Sequence, residues 1–424
     1  MDKSDSLDVE IGRRALLRAA TVLAVAPAVS VSLAACNESD TGDREDEATA
    51  TQDKTNDNPT KDKPLSMADV PTLDVDASKR MFWTTEISTG RVMGITQADV
   101  KQFKGIPYGA STGGANRYLA PKKPASWTGV RECFSHGQIS PQPLNSLTSE
   151  YGRLINWDQH PGGMGEDCLS LNVWTPTMDR NAKKAVLVSF HGGGFASGSG
   201  NQLGFDGAMM AHSQDVVVVT VNHRLNVFGY LNLQDLGAPE EFRYAGVAGI
   251  MDLTASLEWV QENIESFGGD PTRVMIFGQS GGGAKTSIML SNPAAKGLFH
   301  RAGVQSGSAL RLADSARAAE NAELLLTALG ISRKDAASIQ KKSWQEILQA
   351  STGLTPPPGS TGAVGFSPIM DGKYLTHHPF DPEAPTESQD IPVIISSTLH
   401  DSALALSNFD LDDAGLRTVI AGRF

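Results

Sequence analysis

The chain has 424 residues, 40% hydrophobic and 20% charged, the composition of a globular protein long enough to bury a sizeable core. Its 36 basic and 48 acidic side chains leave a formal charge of −12, which argues against a nucleic-acid partner. Three cysteines are too few for a disulfide framework or a multi-cysteine zinc site, and no motif calls for a metal or an organic cofactor.

Residues 1–35 read as an export signal. Arg13 and Arg14 lie in a long leading region, followed by an apolar run from Ala19 to Ala35 that is too short for a membrane span and is interrupted by Pro27. The run ends in Leu33-Ala34-Ala35-Cys36, which resembles the lipobox of bacterial lipoproteins, where the cysteine becomes the lipidated N-terminus. The paired arginines resemble a twin-arginine signal, with a plain secretory signal as the alternative. Residues 36–70 read as a lipid-bearing cysteine and a tether. Between Asn37 and Pro64 there are nine acids, four bases and almost no apolar residues, too little to offset the entropy of ordering. The expectation is an envelope protein held to a membrane through Cys36. Residues 71–424 form one domain.

In that domain short apolar runs alternate with helical patterns. Val186–Phe190 reads as a strand and leads into His191-Gly192-Gly193-Gly194-Phe195. Consecutive glycines let backbone N–H groups converge on one point, as an oxyanion hole requires. Val216–Val221 reads as a second strand. Asp252 reads as the cap of a helix whose apolar residues are Leu253, Leu257, Val260 and Ile264. Val274–Phe277 reads as a third strand, followed at once by Gly278-Gln279-Ser280-Gly281-Gly282 and a helix over Gly283–Leu290. This is G-x-S-x-G in the strand–turn–helix setting of a nucleophile elbow. Lys285-Thr286 mimics a phosphate loop, but Gly278 lies one residue too far from Lys285, and no magnesium-binding acid follows. A further helix is expected over Ser315–Leu329, stopped by Gly330, with a loop at 355–360, a strand at Val393–Ile395 and a helix over Leu411–Ala421. Continuous apolar strands alternating with helices imply an α/β fold with a mainly parallel sheet covered by helices on both faces.

Together these motifs resemble the type-B carboxylesterase family of α/β-hydrolases, over about Thr89 to Leu406. The resemblance also rests on Phe103-Lys104-Gly105-Ile106-Pro107-Tyr108, Glu166-Asp167-Cys168-Leu169-Ser170-Leu171-Asn172-Val173-Trp174, Asn222-His223-Arg224-Leu225, Phe267-Gly268-Gly269-Asp270-Pro271 and Gln305-Ser306-Gly307-Ser308. It implies the α/β-hydrolase fold, ester hydrolysis and a small-molecule ester substrate, with no cofactor. Ser280 would be the nucleophile, and the amides of Gly193, Gly194 and Gly281 the oxyanion hole. Asp401, where the family usually has Glu, would be the acid that orients a histidine. The resemblance also implies a buried structural salt bridge between Glu166 and Arg224. A Cys133–Cys168 bridge and two separate thiols are both open, since Ser140 stands where the family's usual partner cysteine falls.

The base itself is not found. The nine histidines, at 136, 160, 191, 212, 223, 300, 377, 378 and 400, all precede Asp401, whereas α/β-hydrolases place the base after the acid. The expectation is a chain truncated at its C-terminal, histidine-bearing end, with little turnover as it stands. The rival readings are a non-catalytic binding or adhesion lipoprotein of the same fold, and a serine hydrolase of amides or thioesters. Ester identity and oligomeric state are not legible.

Overall fold

The structure is a computed structural model that describes residues 80–144, 162–356, 364–399 and 412–421. All of these fall within one compact unit, Leu73–Phe424. The signal, the tether with Cys36, His160, most of the loop at 355–360, His400 and Asp401 lie outside the described residues.

Among the described residues ten strands form one sheet. They are β1 (Phe82–Ile87), β2 (Gly90–Gln97), β3 (Val100–Pro107), β4 (Val130–Glu132), β5 (Ser170–Thr175), β6 (Lys184–Phe190), β7 (Val217–Val221), β8 (Gly269–Gln279), β9 (Arg301–Gln305) and β10 (Val393–Ser396). Their order is β1-β2-β3-β5-β7-β6-β8-β9-β10, with β4 beside β2. From β1 to β7 neighbours run antiparallel; from β7 through β6, β8 and β9 to β10 they run parallel. The helices are α1 (Ala208–Gln214), α2 (Asn226–Tyr230), α3 (Ala248–Asn263), α4 (Gly281–Leu290), α5 (Ser315–Ala328), α6 (Trp344–Thr352) and α7 (Asp413–Ala421).

Adjacent strand residues point to opposite faces, so their partners show what covers each face. Trp174 and Val218 pack with Ala211 of α1. Their neighbours Val173, Val217 and Val219 pack instead with Ile250, Leu253 and Leu257 of α3. Helices therefore cover both faces, and every residue of β5 and β7 is buried, polar ones included. A second core lies among α2, α5 and α6, around Phe228, Leu325 and Ile347.

Two sequence expectations need correction. Asp252 is not a cap: α3 begins four residues earlier, at Ala248, and Asp252 is fully buried within it. This helix is buried on most of its circumference, so its apolar spacing could not mark its start. The strand at Val393–Ile395 forms, but it is not covered on both faces. Among the described residues β10 pairs only with β9, and Ile394 and Ile395, on opposite faces, are 65% and 70% exposed. The other helices form close to where the spacing puts them. Asp314 caps α5 by accepting the Arg317 N–H, and Gly330 turns the chain at φ +68°.

Candidate active site

Strand β8 ends at Gln279, and the chain reverses into α4 through Ser280. The serine has φ +55° and ψ −121°, a backbone conformation that costs a non-glycine residue about 1–3 kcal/mol. Its surroundings hold it there. The Ser280 N–H donates to Gln305 O at the end of β9 (2.8 Å), and Ser280 O accepts from Ala284 N (3.0 Å). The turn is also too tight for side chains. A Cβ on Gly282 would lie 2.1 Å from Phe190 O, the last residue of β6. The half-buried serine therefore stands at the carboxyl end of the sheet, on the first turn of α4, whose positive dipole end favours developing negative charge.

The glycine loop after β6 lies against this elbow. A Cβ on Gly281 would sit 2.4 Å from the N and Cα of Gly194, so the two backbones touch. A trans peptide directs its C=O and N–H to opposite sides, so anchoring a carbonyl aims the following N–H. Three consecutive carbonyls are anchored. Lys285 Nζ donates to His191 O (2.9 Å). His191 Nδ1 donates to Gly192 O (2.8 Å). Gly193 O accepts from Ala196 N (3.3 Å) and Ser197 N (3.1 Å). Gly193 and Gly194 take φ of +85° and +62° to make the turn. Among the described residues no protein acceptor takes the N–H groups of Gly193, Gly194 or Gly281. These are the three donors expected of an oxyanion hole, aimed without internal partners.

The far end of the loop is tied down as well. Gly198 N–H donates to Gln142 Oε1 (2.6 Å), and Gln142 Nε2 donates back to Gly198 O (3.0 Å). Asn226 donates its N–H to Phe195 O (2.7 Å) and its Nδ2 to Ala196 O (3.1 Å). Ser140, at the family's usual cysteine position, accepts from Leu225 N (3.1 Å), so its hydroxyl fixes the segment after β7. Cys133 and Cys168 are both buried free thiols in the structure. Burial pushes each thiol up to about 12.

The expected Glu166–Arg224 bridge is replaced by two others. Glu166 pairs with Arg117, through Nε (2.5 Å) and Nη2 (2.6 Å), while Arg117 Nη1 reaches Gln340 O and Lys342 O. Arg224 forks onto Asp252 instead, Nε to Oδ2 (2.8 Å) and Nη2 to Oδ1 (2.6 Å). The reason is the start of α3, which carries Asp252 under Arg224, while the turn at 114–117 carries Arg117 over Glu166. Sequence reasoning missed Arg117, Asp252, Gln142, Asn226 and Lys285. Lys285 was visible after the glycine run, but only as a mimic of a phosphate loop.

The described histidines are committed elsewhere. His136 faces Asn172 Oδ1 (3.1 Å), His300 Nδ1 accepts from Val274 N (3.3 Å), His377 pairs with Glu387 (3.1 Å), and His378 Nδ1 accepts from Leu312 N (3.2 Å). His212 is exposed on α1. His191 and His223 stack at 4.9 Å, and His223 Nδ1 donates to Arg224 O. Burial pulls the His223 imidazole well below its ordinary range, helped by Lys285 and His191. Asp401 follows β10, whose end lies beside Ser306, as Ser306 N–H donates to Ser396 O (2.7 Å) and Thr398 N–H to Ser306 Oγ (3.3 Å). The strand that leads to the expected acid thus ends one residue from Gln305, the anchor of the serine. A cavity of about 270 Å³ lined by Phe195, Ile288, Ala309 and Leu312 adjoins the glycine loop and α4.

Comparison with known proteins agrees with this geometry. Residues 83–418 match the model of the carboxylesterase family. The chain is 35% identical over 311 residues to the para-nitrobenzyl esterase of Bacillus subtilis (strain 168), covering 73% of this chain and 61% of that one. It is 34% identical over 319 residues to human cocaine esterase, covering 72% and 54%. A crystal structure of a Geobacillus stearothermophilus carboxylesterase superposes with a TM-score of 0.68 at 36% identity, over 80% of this chain and 66% of that one. The chain spans well under two thirds of the length of the two curated relatives.

Proposed function

Because the chain belongs to the carboxylesterase family, we propose that the protein hydrolyses carboxylic esters through an acyl-enzyme on Ser280. The observation that supports this best is the contact of two backbones. The left-handed serine at the end of β8 stands beside Gly281, and Gly281 touches Gly194.

The chemistry follows from that contact. A base removes the Ser280 proton as Oγ attacks the ester carbonyl, and the carbonyl oxygen gains negative charge under the N–H groups of Gly193, Gly194 and Gly281. Collapse expels the alcohol, which takes the proton back from the base. Water then attacks the acyl-serine by the same route in reverse and releases the acid. The donors are already aimed, so little reorganisation opposes charge development. Asp401 would orient the base, a histidine that is not identified among those of the described residues. The 270 Å³ cavity beside Phe195 and Ile288, lined also by Arg311 and Ser367, is a candidate site for an ester substituent. Export by residues 1–35 and lipid attachment at Cys36 place this activity at the cell envelope; Cys36→Ala should move the protein from the membrane to the soluble fraction, and retention in the membrane would refute the anchor.

The test is release of p-nitrophenol from p-nitrophenyl acetate by the full-length protein, with a Ser280→Ala control. Ser280-dependent turnover is expected. Turnover that survives Ser280→Ala would overturn the assignment of the nucleophile. No turnover would overturn the hydrolase reading in favour of a binding protein of the same fold.

A further inference from the structure

Lys285 is fully buried on α4, five residues after the nucleophile, and its ammonium has one hydrogen-bond acceptor among the described residues, the carbonyl of His191. That carbonyl belongs to the first of the three anchored peptide planes. The second plane is anchored by the His191 ring and the third by the loop's own N–H groups. Those two anchors are internal to the loop. Lys285 is the side chain that ties the loop's entry to the nucleophile helix, as Gln142 and Asn226 tie its far end to other segments.

The geometry points to Lys285 as a positioning residue that sets the orientation of the oxyanion-loop amides relative to Ser280, an inference that rests on the hydrolase reading for its catalytic consequence but not for its structural one. With His191 O held at Nζ, Gly192 N–H is turned the other way, and the planes of Gly193 and Gly194 are built from that start. Without it, the 190–192 segment loses its tie to α4, and the Gly193 and Gly194 N–H groups lose their fixed relation to Gly281. The environment shows that the lysine is not a solvated side chain folded inward by chance. It is fully buried, and burial alone pulls its ammonium down to about 7, a cost that an apolar residue of the same length would avoid.

The experiment uses Lys285→Met, which keeps the length and removes the donor, and Lys285→Gln, which keeps an N–H donor and removes the charge. Hydrogen exchange of the Ala196, Ser197 and Gly198 amides reports loop order without any turnover. We expect at least tenfold faster exchange in Lys285→Met, recovery by threefold or more in Lys285→Gln, and unchanged exchange in β6 and β8. In the form of the protein that turns over p-nitrophenyl acetate, kcat should fall by about 100-fold in Lys285→Met, the scale of losing one oxyanion donor, with KM changed less than threefold. Should Lys285→Met not fold, Lys285→Gln decides on the same two readouts, with loop exchange about threefold faster than wild type and a matching fall in kcat expected, because the shorter side chain only partly replaces the bond to His191 O. Unchanged loop exchange, or a loss confined to KM, overturns the proposal. Absence of wild-type turnover counts against the hydrolase reading alone and leaves loop exchange to decide on Lys285.

Discussion

The buried pair Arg224–Asp252 offers the sharpest quantitative test of the structure, because the sequence pointed to a different partner. Both side chains are almost sealed from solvent, at 2% and 0% exposure. Asp252 accepts three N–H groups from one residue: Nε at 2.8 Å, Nη2 at 2.6 Å and the Arg224 backbone N–H at 3.0 Å. The remaining arm of the guanidinium donates to Leu119 O at 2.7 Å. Asp252→Ala therefore strands a cation and a backbone donor in the interior. Breaking a buried pair in this way costs about 3–5 kcal/mol, whereas replacing both partners by apolar groups is close to neutral. We expect Asp252→Ala to lose about 4 kcal/mol in guanidinium melts, and Arg224→Met/Asp252→Leu to recover at least half of that. The double-mutant cycle should give a coupling of about 2 kcal/mol or more for Arg224–Asp252, and less than half of that for Arg224–Glu166. A loss under about 1 kcal/mol for Asp252→Ala would refute the reasoning, as would a stronger coupling to Glu166.

Two further predictions follow from burial. Lys285 titrates near 7 when folded and near its ordinary 10.5 when unfolded. Between those values the unfolded chain binds a proton that the folded chain does not, so this group makes stability rise with pH across that window, by about 1.4 kcal/mol per pH unit. The groups facing it are the rings of His191 and His223 and, beyond them, Arg224. The stability of wild type relative to Lys285→Met should climb between pH 7 and 10, and a flat difference would show that the lysine is hydrated or paired. In a Cys36→Ala background, Cys133 and Cys168 should resist Ellman's reagent at pH 8 when folded and titrate as two thiols after unfolding. Failure to titrate after unfolding would reveal a disulfide.

What the sequence could reveal, and what it could not, divides along contact range. Ser280 and the Gly192–Gly194 run were legible because each motif is a local backbone necessity: a left-handed residue between close-packed backbones admits only glycines beside it, and glycines are visible as letters. β6, β7 and β8 were legible because burial on both faces writes itself as an unbroken apolar run. β10 has the same letters, but among the described residues no element covers it, and a run of Val and Ile records a fitness for burial and not which element provides the cover. The charged residues failed for a related reason. Four buried charges, Arg117, Glu166, Arg224 and Asp252, can be matched in more than one way on paper, and the choice is made by where α3 begins, a boundary that a helix apolar on most sides does not mark. Lys285 was the hardest to read. On a helix surface a lysine is solvated by default, and only the packing of α4 under the glycine loop converts it into a donor to His191 O. The residues proposed to supply the chemistry are thus fixed by local geometry. The residues that aim them are fixed by tertiary contacts, and for those the structure had to come first.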